Sequence, residues 1–163
     1  MATASDLSTS TSPASPERAA VPISSVLFAT DLSPNSTPAE EEALRLAVSL
    51  RARLIAVSVI DPGTLRLPGG RFRARVDQVR DEREAVAQRL VERARDLGVP
   101  TAFLVWEGDP GEAIVEAAES ERVDLIVIGT HGRRGVNRSL FGSVSDHVVR
   151  HAPCPVVVVR GPA

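Results

Sequence analysis

Four short segments of this chain, "ISSVLFAT" (23–30), "LIAVSVID" (54–61), "DLIVIGT" (124–130) and "PVVVVR" (155–160), are nearly continuous apolar runs that do not alternate with polar residues. A strand with one wet face alternates, so a strand that stays apolar at consecutive positions is buried on both faces, inside a parallel sheet covered by helices. Parallel neighbours cannot be joined by hairpins and need crossovers of a dozen residues or more. The intervals between the runs supply them. Thr37-Pro38-Ala39-Glu40 has the form of a capping box with proline at the first helical position, followed by Ala43, Leu44, Ala47 and Leu50 at helical spacing. A long amphipathic helix is predicted over 73–97, stopping at Gly98 and Pro100. "TAFLVWEG" is the remaining strand. Asp109-Pro110-Gly111-Glu112 opens a third helix, and a fourth begins near Ser143 and stops at Pro153. The order β-α-β-α-β-α-β-α-β with right-handed crossovers specifies an α/β fold, a doubly wound sandwich. Residues 1–21 are Ser/Thr/Ala/Pro-rich without a period and are expected to be a disordered tail. The domain is expected over 22–160, with 161–163 as a short C-terminal tail.

Composition removes several function classes. A net charge of −2 gives no reason to expect DNA or an anionic membrane as partner, and 3% aromatic content argues against a base-stacking platform for single strands. All nineteen basic residues are arginine. Without lysine there is no P-loop phosphate grip and no Schiff-base chemistry. Any phosphate is held by backbone amides, hydroxyls or arginines. The single cysteine, Cys154, excludes an internal disulfide framework. No apolar stretch is long enough to span a bilayer, and the first twenty residues lack the core of a secretory signal. The expected location is cytoplasmic.

In doubly wound sheets, ligands lie beyond the carboxyl ends of the strands, where the strand order reverses. Two loops stand out there: the one after the first strand, with Asp31, and the glycine-rich "GTHGRRGVNRSLFG" after the fourth. Gly129 ends a strand, where a side chain would obstruct anything over the strand tips. Gly132 lies in a tight loop, and Gly142 directly precedes a helix whose Ser143, Val144 and Ser145 amides would face outward with the partial positive charge of a helix start. This is the geometry of a phosphate site, with Asp31 available to accept from a ribose. Two plainer readings stand beside it. The glycines can serve only to turn the chain, and Asp31 can be an ordinary turn residue.

Gly129-x2-Gly132-x9-Gly142-Ser143 matches the G-x2-G-x9-G-(S/T) nucleotide motif of universal stress proteins, the UspA-like family. "VLFATDLS", "VSVID", "GDPGEAIVEAAESERVDLIVIGTHGRRG" and "PVVVVR" resemble that family's elements in the same order, over about residues 22–160. The resemblance implies a single-domain, Rossmann-like (adenine nucleotide alpha hydrolase-like) sandwich with a five-stranded parallel sheet of order 3-2-1-4-5. It implies binding of ATP, or of ADP or AMP, with Mg²⁺ bridging phosphates. Carried over, Ala29, Thr30 and Asp31 would lie at the sugar. The Val59 backbone would meet the adenine, and Ile128 and Gly129 would lie beneath the nucleoside. His131, Gly132, Arg133, Gly142, Ser143, Val144 and Ser145 would stand around the phosphates. It also implies a homodimer through strand 155–160, for which a valine-rich open edge is an independent physical motive.

Two readings stand for the arginines of 62–83 (Arg66, Arg71, Arg73, Arg75, Arg80, Arg83): the segment folds over the phosphates or contacts a partner, or it is a solvated face laced with Asp77, Asp81, Glu82 and Glu84, which is the simpler expectation. His147 and His151 share helical spacing and precede Cys154, a pattern that zinc sites use; exposed helix histidines are the simpler expectation. Ser143, Asp146 and His147 share one turn and cannot form a triad. Asp146 stands close enough to the expected phosphates to suggest Mg²⁺. The functions in contention are a nucleotide-dependent stress-response regulatory dimer acting on an unidentified partner protein, a slow ATPase, and a nucleotide-free scaffold. Adenine-nucleotide hydrolases with a Ser-Gly-Gly-x-Asp-Ser loop are disfavoured, because "ATDLSPNS" stands at that place.

Overall fold

The structure is a computed structural model that describes residues 22–65, 72–130 and 142–161. Its elements are β1 (Ser25–Ala29), α1 (Thr37–Leu50), β2 (Arg53–Ile60), α2 (Phe72–Asp96), β3 (Thr101–Glu107), α3 (Pro110–Ser120), β4 (Leu125–Gly129), α4 (Ser143–His151) and β5 (Val156–Val159). The five strands form one parallel sheet of order β3-β2-β1-β4-β5. The chain therefore winds outward from β1 to β3 and then returns past β1 to lay down β4 and β5. The reversal falls between β1 and β4. The expected tails at 1–21 and 162–163 lie outside the described residues.

The unbroken apolar runs have the consequence inferred for them. Successive side chains of β1 feed opposite faces: Val26 and Phe28 pack with α1, α2 and one face of β2 and β4, while Leu27 and Ala29 pack with α3, α4 and the other face. Every residue of β1 is buried. Large side chains such as Phe28, Leu27, Leu54, Ile55 and Ile126 are fully enclosed, each contributing roughly 1.5–3 kcal/mol relative to exposure.

Helix boundaries follow local chemistry with one departure. At α3, the Asp109 carboxylate accepts from the amides of Gly111 (2.9 Å) and Glu112 (3.2 Å), as its helix-start signature predicts. At α1 the expected capping box does not form. A 3-10 turn, Pro34–Ser36, runs straight into the helix, so Ser36 is the cap residue and Thr37 already has helical dihedrals. Glu40, freed from capping duty, pairs with Arg93 of α2 at 3.2 Å.

At the amino ends of the strands, Asp124 ties β4 to β1. Its Oδ2 accepts from the amides of Ser24 (2.8 Å) and Ser25 (3.0 Å) and from both hydroxyls (2.9 Å each). These hydrogen bonds, the Ser24 amide foremost, hold the carboxyl below its ordinary range. Cys154 lies nearby, its thiol pushed up by burial and then by the Asp124 charge.

Because the Asp124 carboxyl titrates lower in the folded chain than unfolded, its stabilisation is present above the unfolded value, about 4, and is lost as pH falls through the folded one. Asp124→Ala is expected to cost about 2 kcal/mol at neutral pH. The gap from the unsubstituted chain should close on acidification below about pH 4. Urea denaturation of both proteins across that range checks it.

Candidate functional site

At the reversal point, the carboxyl ends of β1 and β4 diverge into separate loops and leave a cleft. The β1–β2 ladder ends with Ala29 opposite Val57, plus a last bond from the Thr30 amide to the Val57 carbonyl (2.9 Å). The β4 ladder runs one bond further, from the Thr130 amide to the Val159 carbonyl (2.9 Å). A cavity of about 520 Å³ opens between them, within the range of about 300–1,000 Å³ that small-molecule sites occupy.

Ten of the residues expected from the sequence line this one cavity: Ala29, Thr30, Asp31, Val59, Ile128, Gly129, Gly142, Ser143, Val144 and Ser145. Three others, His131, Gly132 and Arg133, lie outside the described residues. The floor is aliphatic, with Val57, Ile114 and Ile128, and the walls are polar.

The wall after β1 is a cross-braced turn. Thr30 Oγ1 accepts from the Leu32 amide (2.9 Å) and donates to Ser36 Oγ (3.1 Å), which itself donates to the Ser33 carbonyl (2.7 Å). Asp31 Oδ1 accepts from the Ser33 amide at 3.0 Å. The turn role weighed for Asp31 is therefore real, and it orients a half-buried carboxylate that lines the cavity. Leu32 takes a left-handed conformation (φ 60°) inside this brace.

The opposite wall is the start of α4. Gly142 is its N-cap, without a side-chain cap, and Ser143 is the first helical residue. Ser145 Oγ donates to the Gly142 carbonyl (3.0 Å), which also accepts the first helical bond from Asp146 (2.9 Å). The amides of Ser143, Val144 and Ser145 donate to no acceptor among the described residues, so the positive end of the helix opens onto the cavity. Gly142 has a reason of its own. Its amide donates to the Thr130 carbonyl at 2.9 Å, and a Cβ there would stand 2.8 Å from that same oxygen. The glycine is demanded by the protein's own backbone, where the chain that left β4 at Thr130 closes back on itself.

Sequence reasoning missed part of the lining: Ser36, Val57, Asp61, Thr64, Arg83, Asp109, Pro110, Ile114 and Thr130. Asp61 and Asp109 each hold an amide, Gly63 at 2.8 Å and Gly111 at 2.9 Å. Arg83 is the largest correction. It and Arg80 do not belong to a solvated face. Arg80 donates to the Val105 carbonyl (3.0 Å) and pairs with Glu107 (2.7 Å), and Arg83 donates to Ser58 Oγ (2.8 Å) and the Val59 carbonyl (2.5 Å). The signal was available: positions 76, 80, 83, 87, 90 and 94 form one 4-3-4-3-4 stripe, and Val76, Ala87, Leu90 and Ala94 on it are buried. Arginines on such a stripe point inward. Elsewhere on α2 the solvated reading fits, with Arg75 loosely paired to Glu82 at 4.0 Å.

Asp146 turns to Arg150 (2.9 Å) and does not line the cavity, so it offers no magnesium ligand there. His147 is not an exposed helix histidine either: it is half-buried, and a Cβ on Gly111 would meet its ring at 2.8 Å. His151 stacks on it with centroids 4.2 Å apart. Among the described residues no three His, Cys, Asp or Glu side chains are grouped as a metal site would need, and no helix is long and apolar enough to cross a membrane.

The sequence model of the Universal stress protein family matches residues 22–160. The chain belongs to the universal stress protein family. A universal stress protein of Methanocaldococcus jannaschii is 34% identical over 139 residues, 84% of this chain and 82% of that relative. Among solved structures, a family member from Burkholderia pseudomallei is 33% identical with a TM-score of 0.69, covering 84% of this chain and 96% of its own. A universal stress protein solved in complex with cAMP is 26% identical with a TM-score of 0.65, covering 86% and 98%.

Gly142→Val is expected to lower stability by about 1–3 kcal/mol, because the start of α4 must move off the Thr130 carbonyl. A thermal melt without ligand checks it; an unchanged midpoint would return Gly142 to a purely ligand-serving role.

Proposed function

We propose that this universal stress protein binds an adenine nucleotide in the cleft between β1 and β4, as ATP or as ADP or AMP, and acts in the cytoplasm as a nucleotide-dependent regulatory dimer. The observation that carries the reading is the pairing of an aliphatic-floored cavity with the open amides of α4 at one end. Phosphates belong at those amides, which supply donors and a positive dipole without lysine. The ribose belongs beside Asp31, over the tip of β1, and the base over the tip of β2, since β1 lies between β4 and β2 in the sheet. The cAMP complex of the related structure supports an adenine nucleotide. His131, Gly132 and Arg133, within the motif, complete the proposed phosphate contacts. Mg²⁺ would be held through phosphate oxygens, as the family resemblance implies.

Ligand binding would shift affinity for a regulatory partner protein. The dimer is assigned to the outer edge of β5, which among the described residues pairs only with β4; the expected strand 155–160 is realised as Val156–Val159. A valine-rich open edge is stable in water only when covered or paired.

Calorimetric titration of nucleotide-free protein with ATP and Mg²⁺ is expected to give micromolar binding. Phosphate release from the same sample should be negligible, and light scattering should return twice the chain mass. Steady release abolished by Ser143→Ala would make the protein an ATPase. Absence of binding would reduce the cleft to a turn and favour a scaffold.

A further inference from the structure

The base end of the cleft holds a cation that the glycine motif does not foresee. Carbonyls of alternate residues on a strand point to the same side, so Val59, two residues beyond Val57, turns its carbonyl towards β1 at a level where β1 has already ended. Nothing from the sheet fills that position. Arg83 of α2 reaches it, donating through Nη1 to the Val59 carbonyl (2.5 Å) and to the wholly buried Ser58 hydroxyl (2.8 Å), and its side chain lines the cavity. One turn earlier, Arg80 fastens the same helix to β3 at Val105 and Glu107. The Arg83 guanidinium is thus held at the strand tip by its own two acceptors on β2.

Resting on the nucleotide reading above, we propose that Arg83 is a selectivity residue of the base subsite, and that it makes the site accept 6-oxopurines beside adenine. A bare strand-end carbonyl selects an amino group: it accepts from the 6-amino of adenine and repels the 6-oxo oxygen of hypoxanthine or guanine. A carbonyl that already carries a guanidinium behaves differently. It has two lone pairs and can still accept from an amino group, while the adjacent positive charge offsets the repulsion between two oxygens. The site therefore loses the strong rejection that an unshared acceptor would impose.

The test compares calorimetric affinities of the full chain, freed of nucleotide, for ATP and for ITP, which differ only at this edge of the base. The unsubstituted protein should bind the two within about tenfold, and Arg83→Met should weaken ITP about tenfold more than ATP. Arg80→Met loosens the same helix without touching Val59 and should leave the ratio unchanged. Because each ratio comes from one preparation, partial unfolding does not affect it. Rejection of ITP by more than about a hundredfold in the unsubstituted protein overturns the proposal without any variant. So does a ratio insensitive to Arg83→Met, or one that Arg80→Met shifts equally. Any of these three results with ATP still bound leaves the nucleotide reading standing, whereas a protein that binds neither nucleotide removes both.

Discussion

Everything in this molecule hangs on the burial of β1 from both faces. A strand with no exposed residue must satisfy its backbone in the sheet and its side chains in two separate cores. β2 and β4 flank it as parallel neighbours, with Ala29 opposite both Val57 and Ile128. Helices then have to cover both sides, α1 and α2 on one and α3 and α4 on the other. The winding reverses beside β1, and the reversal separates the loops after β1 and β4. The cleft is a by-product of packing a doubly buried strand in the middle of the sheet.

The cleft is furnished by three devices that differ in kind. At one end, a helix start presents amides that nothing else in the described chain uses. In the middle, a braced turn holds a carboxylate. At the far end, an arginine from a remote helix occupies a strand-tip carbonyl. The first needs only Gly142 and the closure onto Thr130. The second is local, built within residues 30–36. The third depends on the docking of α2 over β2 and β3, and so ties that end of the cleft to the packing of a whole helix.

Much of this was legible in the linear sequence. The apolar runs located four strands, and the Asp109 signature located the start of α3. The spacing of Gly129, Gly132, Gly142 and Ser143 singled out the loop, and ten of the thirteen residues it led to line one cavity. The failures share a cause. The local string at Thr37 fits a cap, but the preceding 3-10 turn has already begun the helix. The charge of Arg80 and Arg83 suggests a solvated face, but both lie on the buried stripe. His147 was expected to be exposed, and the absence of a side chain on Gly111 lets α3 come close enough to cover it.

The sequence by itself determined what each segment is: which runs are strands, which are helices, and where backbone must come close to backbone. Those properties follow from periodicity and from residue types within a few positions of one another. Only the tertiary structure decided which segments meet. The bonds from Asp124 to Ser25 and from Arg83 to Ser58 span 99 and 25 positions, and no local pattern encodes them. They exist because the crossovers bring β4 beside β1 and lay α2 across the tip of β2, and that arrangement is fixed by the shared burial of the elements together.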